Sequence, residues 1–182
     1  VVLFVSDHGN MHGNHGLASK GVFYEESVRV PFIVADPDAP DRGRVDTTTL
    51  VNTGLDILPT CCDYAESPVP TTLLGRSVRP AVERGAQAAG RGRNGAVAAP
   101  HRFVCSENDH GRMLRTTRFK YTVYTGDEPR EILTDLETDP GELRNLAQSE
   151  SHRELLGEYR RLMRQWFESS EDDTGVRAFG GV

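Results

Sequence analysis

The feature that most constrains this chain is an apolar run that leads directly into a polar loop. Residues Val1–Val5 are all apolar, and a loop rich in glycine, asparagine and histidine follows from Ser6 to Gly16. A short apolar run of this kind is typical of a buried strand in a parallel sheet. Open α/β sheets bind their ligands just beyond the carboxyl ends of such strands. The sequence therefore predicts a functional corner that begins with Asp7 and His8.

The side chains of this corner fit a metal ion and an anion. A hard divalent cation prefers carboxylate oxygen, as Asp7 would provide, and the imidazole of His8 could complete its ligand shell. Two ligands are too few for a metal site, and adding His12 and His15 gives a spacing that matches no compact zinc motif. Those two histidines could equally stabilise the loop or bind substrate. Lys20 is a compact cation that could meet an anionic substrate, although a lone lysine is more often a solvated surface residue.

Composition excludes several classes of function. The chain has 182 residues and a net charge of −6, so no basic field favours nucleic acid or an anionic membrane surface. No apolar run approaches the roughly 18 residues that a membrane span needs. Three cysteines, two of them adjacent, do not make a disulfide framework and leave the compartment undetermined.

The first half of the chain continues with a second strand and a helix. Val28–Val34 is predicted to be a strand, with Pro31 indicating an edge position or an irregularity. Thr47–Glu66 is predicted to be a helix, and Pro59 is tolerable within this range only if the regular helix starts close to it. Its capping pair would be Thr53 with Asp56, and its apolar face would carry Leu55, Leu58, Cys62 and Ala65.

An Arg-Gly-rich stretch over residues 81–95 separates this half from a second unit. The stretch could suggest an RNA-binding tail, but it is short and lacks aromatic residues, so a linker is favoured. The strands predicted beyond it form an antiparallel sheet: Ala96–Ser106, Arg112–Arg115, Phe119–Tyr124 and Glu131–Thr134. Asp139–Glu142 has the pattern of a helix start, and Ser151–Glu168 carries an apolar stripe at helical spacing.

These elements predict an α/β fold in three parts. Residues 1–80 would form the end of a mostly parallel sheet with helices, and residues 81–95 the linker. Residues 96–182 would form a small α+β subdomain, in which the C-terminal helix packs on the antiparallel sheet. A strand that is buried from residue 1 would need neighbouring strands or helices supplied by earlier sequence. We therefore expect the chain to be the C-terminal portion of a longer protein.

Several motifs in the same order closely resemble the sulfatase family of the alkaline-phosphatase-like superfamily. The similarity spans nearly the whole chain apart from the linker and the last residues. The matching motifs are Ser6-Asp7-His8-Gly9, Gly13-Asn14-His15-Gly16, Lys20-Gly21-Val22-Phe23-Tyr24-Glu25-Glu26-Ser27-Val28-Arg29-Val30-Pro31, Asp56-Ile57-Leu58-Pro59-Thr60, Gly75-Arg76-Ser77, Arg112-Met113-Leu114-Arg115-Thr116, Phe119-Lys120-Tyr121, and Leu136-Glu137-Thr138-Asp139-Pro140 through Asn145-Leu146-Ala147.

The resemblance implies specific roles for the polar corner. It implies that Asp7 and His8 are two ligands of a divalent metal, usually calcium, and that Lys20 is the catalytic lysine that contacts the sulfate group. His15 lies beside the substrate pocket in this motif. Asn14 is a departure, because relatives often carry glutamate there, and a local substrate contact would differ accordingly.

The family's nucleophile motif is absent from these residues. Sulfatases convert a Cys or Ser in a Cys/Ser-x-Pro/Ala-x-Arg motif to formylglycine, and neither Cys61-Cys62-Asp63 nor Cys105-Ser106-Glu107 fits it. The aspartates that complete the metal shell in the family are also missing. We therefore expect the formylglycine to lie in a missing N-terminal half, which would be a partner of this chain. The isolated chain should then have no sulfatase turnover, and its uncovered apolar faces should make it self-associate.

Three functions remain open at this stage. The resemblance favours part of a metal-dependent sulfatase that hydrolyses a sulfated small molecule or carbohydrate, in a periplasmic or secreted location. A phosphonate or phosphate ester hydrolase of the same superfamily is the second possibility, since metal and lysine suit either anion. The third is a non-catalytic module that binds anions or a protein partner.

Overall fold

The computed structural model describes residues 1–40, 43–84, 101–126 and 129–170. The chain divides into two compact units. The first comprises Val1–Lys20 and Glu26–Arg102, and the second comprises Gly21–Glu25 and Phe103–Val182. Among the described residues, no helix has the length and apolar character needed to cross a bilayer.

The first unit contains a two-stranded sheet made of β1 (Val2–Val5) and β2 (Phe32–Ala35). The predicted first strand is present, but within the described residues it pairs antiparallel with β2, not in the parallel arrangement expected from its composition. It is also not buried as predicted. Val2, Phe4 and Ile33 are each more than half exposed on the same face, because no described element covers that face.

The strand predicted to begin at Val28 begins four residues later, at Phe32. The preceding residues form a short helix, α1 (Glu25–Val28), whose Ser27 carbonyl accepts a hydrogen bond from the Gly9 amide at 2.8 Å. Pro31 stands directly before β2, where its missing N–H costs no ladder hydrogen bond. The proline thus marks the start of the strand.

The helix predicted over 47–66 is shorter, α2 (Thr53–Tyr64), and Arg79–Arg84 forms a further helix, α3. The N-cap of α2 is Asn52, one residue before the predicted cap Thr53. The Asn52 side chain accepts from the Gly54 amide at 3.1 Å, and Asp56 accepts from the Asn52 amide at 2.7 Å. Pro59 lies in the helix interior, so the expectation that the helix begins beside it is wrong.

The buried face of α2 is polar, which corrects the predicted apolar face. Leu58 is 53% exposed, whereas Asp56, Thr60 and Asp63 are buried. These three side chains accept hydrogen bonds from the loop at residues 76–78: the donors are the Arg76 amide, the Val78 amide and the Ser77 hydroxyl, at 2.7, 3.0 and 2.7 Å. Each of the three side chains gains at least one hydrogen bond on burial, which offsets its loss of water, although Asp63 Oδ1 itself has no hydrogen-bond partner among the described residues and lies 3.9 Å from Arg79. Hydrophobic periodicity could not reveal that.

Part of the predicted linker lies outside the described residues. Of the stretch 81–95, residues 81–84 belong to α3 and residues 85–95 are not described. The strand predicted from Ala96 is described only from residue 101 onward, and it runs from Val104.

The second unit is built on a four-stranded antiparallel sheet, as predicted. Neighbouring strands follow one another in sequence order, which is the simplest antiparallel topology. The strands are β3 (Val104–Asn108), β4 (Gly111–Arg115), β5 (Phe119–Tyr124) and β6 (Glu131–Asp135).

The predicted C-terminal helix is present as α4 (Arg153–Ser169) and supplies half of the unit's core. Its buried residues share one face: Leu156, Tyr159, Leu162, Met163 and Phe167. They form one apolar cluster with Leu114, Tyr121, Val123 and Leu133 of the sheet. The α/β class, the antiparallel sheet and its packed C-terminal helix are therefore confirmed.

The helix start predicted at Asp139–Glu142 is wrong. Glu142 has a left-handed backbone with φ of 52°, which a helix start does not permit. Its carboxylate lies 2.6 Å from the Lys120 ammonium, and that side chain is only 3% exposed. The burial of this ion pair overrides the local helix signal.

Candidate functional site

The loop after β1 is folded back on itself by a few backbone contacts. The Met11 amide donates to the Ser19 carbonyl at 2.9 Å, and the Met11 side chain is fully buried. The first turn of the loop packs tightly at Gly9, where an added Cβ would lie 2.0 Å from the Glu26 carbonyl oxygen. Only glycine fits there. These contacts bring the end of the loop, at Lys20, next to its beginning.

Two histidines of the loop have unusual backbone conformations. His12 and His15 have φ values of 47° and 53°, in the left-handed region that non-glycine residues rarely adopt. His15 lies within a 3₁₀ turn at Asn14–Gly16. Backbone strain of this kind often occurs at functional sites.

The imidazole of His8 is oriented by two contacts. Its Nδ1 lies 2.8 Å from the Gly9 carbonyl oxygen and its Nε2 lies 2.5 Å from the Lys20 ammonium. Since a carbonyl only accepts, Nδ1 carries the proton in this arrangement, and Nε2 presents its lone pair to Lys20. His8 is thus held in the tautomer whose Nε2 can accept a hydrogen bond or bind a metal.

Asp7 presents an open carboxylate at the same place. Its side chain is 84% exposed, and its Oδ2 lies 3.4 Å from His8 Nε2. The His8 backbone amide donates to Asp7 Oδ1 at 2.9 Å, and this hydrogen bond is the main reason that the pKa of Asp7 is lowered. Asp7 is therefore ionised at neutral pH, and most of its oxygen lone pairs face solvent.

The structure brings Asp7, His8 and Lys20 together and gives His15 a different neighbour. His15 Nε2 lies 4.0 Å from a carboxylate oxygen of Glu26, and the His15 side chain is mostly buried. His12 is exposed. The two histidines therefore do not join Asp7 and His8 in a metal cluster among the described residues.

The donor set fits part of a metal site. Over residues 1–40, 43–84, 101–126 and 129–170, no group of three or more His, Cys, Asp or Glu side chains could hold a metal ion. Asp7 and His8 supply one open carboxylate and one available imidazole nitrogen. Their chemistry suits a divalent cation, and further ligands would have to complete its shell.

Sequence reasoning missed the residues that shape the corner. Ser6 Oγ donates to the His8 carbonyl at 2.9 Å, and the fully buried Met11 side chain holds the loop against the rest of its unit. Met11 is the single apolar residue between Ser6 and Gly16, and this isolation in a polar loop was a usable signal. Glu26 gave no such signal, because its proximity to His15 arises only from the folded loop.

The chain matches a known family over most of its length. Residues 13–169 match the family described as N-sulphoglucosamine sulphohydrolase, C-terminal. The chain is 33% identical over 182 residues to a Delta 4,5-hexuronate-2-O-sulfatase of Bacteroides thetaiotaomicron, which covers 95% of this chain and 36% of that protein. The chain spans about a third of the length of the curated relatives it matches.

Solved structures agree with the sequence matches. A 2-O GAG sulfatase aligns with a TM-score of 0.80 and 33% identity, covering 95% of this chain and 37% of that one. A phosphonate monoester hydrolase of Agrobacterium radiobacter aligns with a TM-score of 0.70 and 26% identity, covering 92% of this chain and 35% of that one.

Proposed function

Since this chain belongs to the sulfatase family, in its N-sulphoglucosamine sulphohydrolase C-terminal group, we propose that it supplies half of the active site of a metal-dependent sulfate ester hydrolase. The observation that carries this proposal is the exposed corner where Lys20, His8 and Asp7 meet. One ammonium group beside two potential metal ligands is the set of charges that a sulfate ester requires.

Lys20 would contact the sulfate group. Its ammonium is exposed and, among the described residues, hydrogen-bonds only to the Nε2 atom of His8 in this arrangement, so it keeps donors available for an anion. A lysine in this position stabilises negative charge that develops on the sulfate oxygens as the ester bond breaks. His15 would lie beside the same substrate.

Asp7 and His8 would hold a divalent metal, which we propose is calcium, together with ligands from outside this chain. A bound divalent cation polarises the oxygens of the ester and neutralises their charge. His8 Nε2 has one lone pair, which the structure shows directed at Lys20. Once that lone pair serves a cation, the Lys20 ammonium is free to turn to an anion. His8 would thus couple the two halves of the site.

The attacking group would come from another part of the enzyme. No residue here matches the formylglycine motif, and neither Asp7 nor Lys20 can replace an aldehyde hydrate as nucleophile. We therefore propose that the isolated chain does not hydrolyse sulfate esters. An assay of the chain with 4-nitrophenyl sulfate and calcium tests this, and robust metal-dependent hydrolysis would refute it.

The open face of the β1–β2 sheet is where we place the rest of the enzyme. Val2, Phe4, Ile33 and Ala35 lie exposed on one face of the sheet, and such a patch marks an interaction surface. The chain spans only about a third of its relatives, so the N-terminal part of a sulfatase is the partner that fits this face. Without it, we expect the chain to self-associate through the same surface.

The substrate class follows from the relatives and is also a proposal. A sulfated carbohydrate is favoured, because the relatives named above are a hexuronate-2-O-sulfatase and a 2-O GAG sulfatase. The phosphonate monoester hydrolase among the similar structures keeps a second reaction open. The intact enzyme, assayed with 4-nitrophenyl sulfate and with 4-nitrophenyl phenylphosphonate, should prefer the sulfate. Hydrolysis of the phosphonate alone would favour the second reaction.

A further inference from the structure

The five residues that follow Lys20, Gly21–Glu25, belong to the second unit. Alternate residues of this segment contact the four-stranded sheet. The first contact joins the Gly21 carbonyl to the side chain of Asn108, which ends β3, with Nδ2 donating at 3.0 Å. Gly21 itself has φ of 100°, a conformation that suits glycine.

Phe23 makes the second contact. It is 3% exposed, and its ring centroid lies 5.8 Å from that of Tyr124 in β5. It also packs over Gly111 in β4, where an added Cβ would lie 3.0 Å from the Phe23 ring. The Phe23 ring therefore fits against β4 because residue 111 is glycine, and a larger side chain there would press on the ring.

Glu25 makes the third contact, with two cations. Its carboxylate lies 3.1 Å from Nε and Nη2 of Arg115 and 3.2 Å from the Lys120 ammonium. The Glu25 amide also donates to Glu142 at 2.7 Å. Burial opposes ionisation of Glu25, yet the hydrogen bonds from Arg115 and Lys120 keep its pKa below the ordinary value.

We propose that this anchored segment positions Lys20 for sulfate, and that Asn108 and Glu25 act as positioning residues. The proposal rests on the role given to Lys20 above. The peptide bond from Lys20 to Gly21 transmits the restraint, and on the other side the Ser19 carbonyl is held by the Met11 amide. The residues on either side of Lys20 are therefore each hydrogen-bonded within their own unit, while the Lys20 side chain is exposed. A fixed backbone lowers the entropy cost of ordering the ammonium on an anion.

Asn108→Asp tests the anchor with little other change. Asp keeps an acceptor for the His110 amide, which Asn108 Oδ1 now binds at 2.9 Å, but it cannot donate to the Gly21 carbonyl. Asn145→Asp is the matched control. Asn145 likewise accepts from backbone amides, and its Nδ2 donates to the Glu131 carbonyl at 2.8 Å, so the control loses the same kind of bond elsewhere in the second unit.

The chain has only two lysines, Lys20 and Lys120, so labelling with [¹⁵N]lysine gives two backbone amide signals. We expect the order parameter of the Lys20 amide to fall from about 0.85 toward 0.6 in Asn108→Asp and to stay unchanged in Asn145→Asp. The Lys120 signal reports whether the second unit remains folded. In the intact enzyme, affinity for inorganic sulfate in calcium should fall about fivefold in Asn108→Asp and not in Asn145→Asp, as expected for one lost hydrogen bond.

Glu25→Gln provides a second variant with the same expected direction, and if it unfolds the unit, Asn108→Asp decides. The inference is overturned if the Lys20 amide stays as ordered in Asn108→Asp as in the unaltered chain, or if Asn145→Asp loosens it equally. Failure of the proposed function has a different signature. Lys20→Met would then leave sulfate affinity unchanged, while the Lys20 amide would still lose order in Asn108→Asp.

Discussion

The two lysines of the chain occupy opposite environments. Lys120 is 3% exposed and lies 2.6 Å from Glu142 and 3.2 Å from Glu25, which Arg115 also contacts. We call these four side chains the buried ion group. Lys20 is exposed and contacts Nε2 of the His8 imidazole, and Asp7 beside it is open to solvent. The buried ion group satisfies its charges internally, whereas the polar corner leaves both a cation and a carboxylate available for ligands.

This difference separates a stabilising charge from a functional one. Breaking a buried ion pair leaves an uncompensated charge out of water, which is strongly destabilising. An exposed charge loses little when its partner is removed, because water replaces the contact. The same residue type therefore stabilises one unit through Lys120, whereas in the other Lys20 is left available for the ligand proposed above.

Lys120→Met should cause the largest change in stability. It leaves the carboxylates of Glu25 and Glu142 without their shared cation, and we expect a loss of about 3–5 kcal/mol. Lys20→Met is the matched control, because it is the same substitution at an exposed site and should change the free energy of unfolding by less than about 0.5 kcal/mol. Urea unfolding measures both, and equal effects would remove the distinction between the two lysines.

In the intact enzyme, where further ligands would complete the metal shell, Asp7→Asn should weaken calcium binding by at least about tenfold, because it removes the only open carboxylate of the proposed ligand pair. Asp38→Asn is the control, since Asp38 is an exposed carboxylate of the same unit away from the corner. Calorimetric titration with calcium checks the result. Equal affinities in the two variants would show that Asp7 is not a ligand.

Asp135 predicts a smaller, pH-dependent effect. Arg118 donates to both carboxylate oxygens at 3.0 and 2.8 Å and lowers the pKa of Asp135 from 3.8 to about 2. A lowered pKa stabilises the fold above pH 4 and this contribution is lost as the pH falls toward 2. Because Arg118 is half exposed, about 1 kcal/mol is expected. Asp135→Asn should flatten this part of the stability profile, and Asp109→Asn should not.

The sequence predicted the second unit better than the first. The strands β4 to β6 and the apolar stripe of α4 are local patterns that packing reinforces, so their positions were correct to within a few residues, whereas β3 begins eight residues after its predicted start. The buried face of α2 was missed, because Asp56, Thr60 and Asp63 are buried by hydrogen bonds from a loop that begins 13 residues after Asp63. Glu142 was misassigned for a similar reason, since a distant lysine decides its conformation.

The candidate site was predicted in part. Its members Asp7, His8 and Lys20 came from a motif, but the approach of Lys20 to His8 depends on the loop closing between Met11 and Ser19. No periodicity encodes that closure. The anchored segment after Lys20 was invisible in the sequence, because Asn108 lies 87 residues beyond Gly21.

The measurement that tests the central claim most directly is the affinity of the intact enzyme for inorganic sulfate, with and without calcium, before and after Lys20→Met. The proposed site predicts that sulfate binds more tightly in calcium and that Lys20→Met weakens this binding by about tenfold, as expected for a lost charge-assisted contact. Sulfate affinity that depends on neither calcium nor Lys20 would contradict the account.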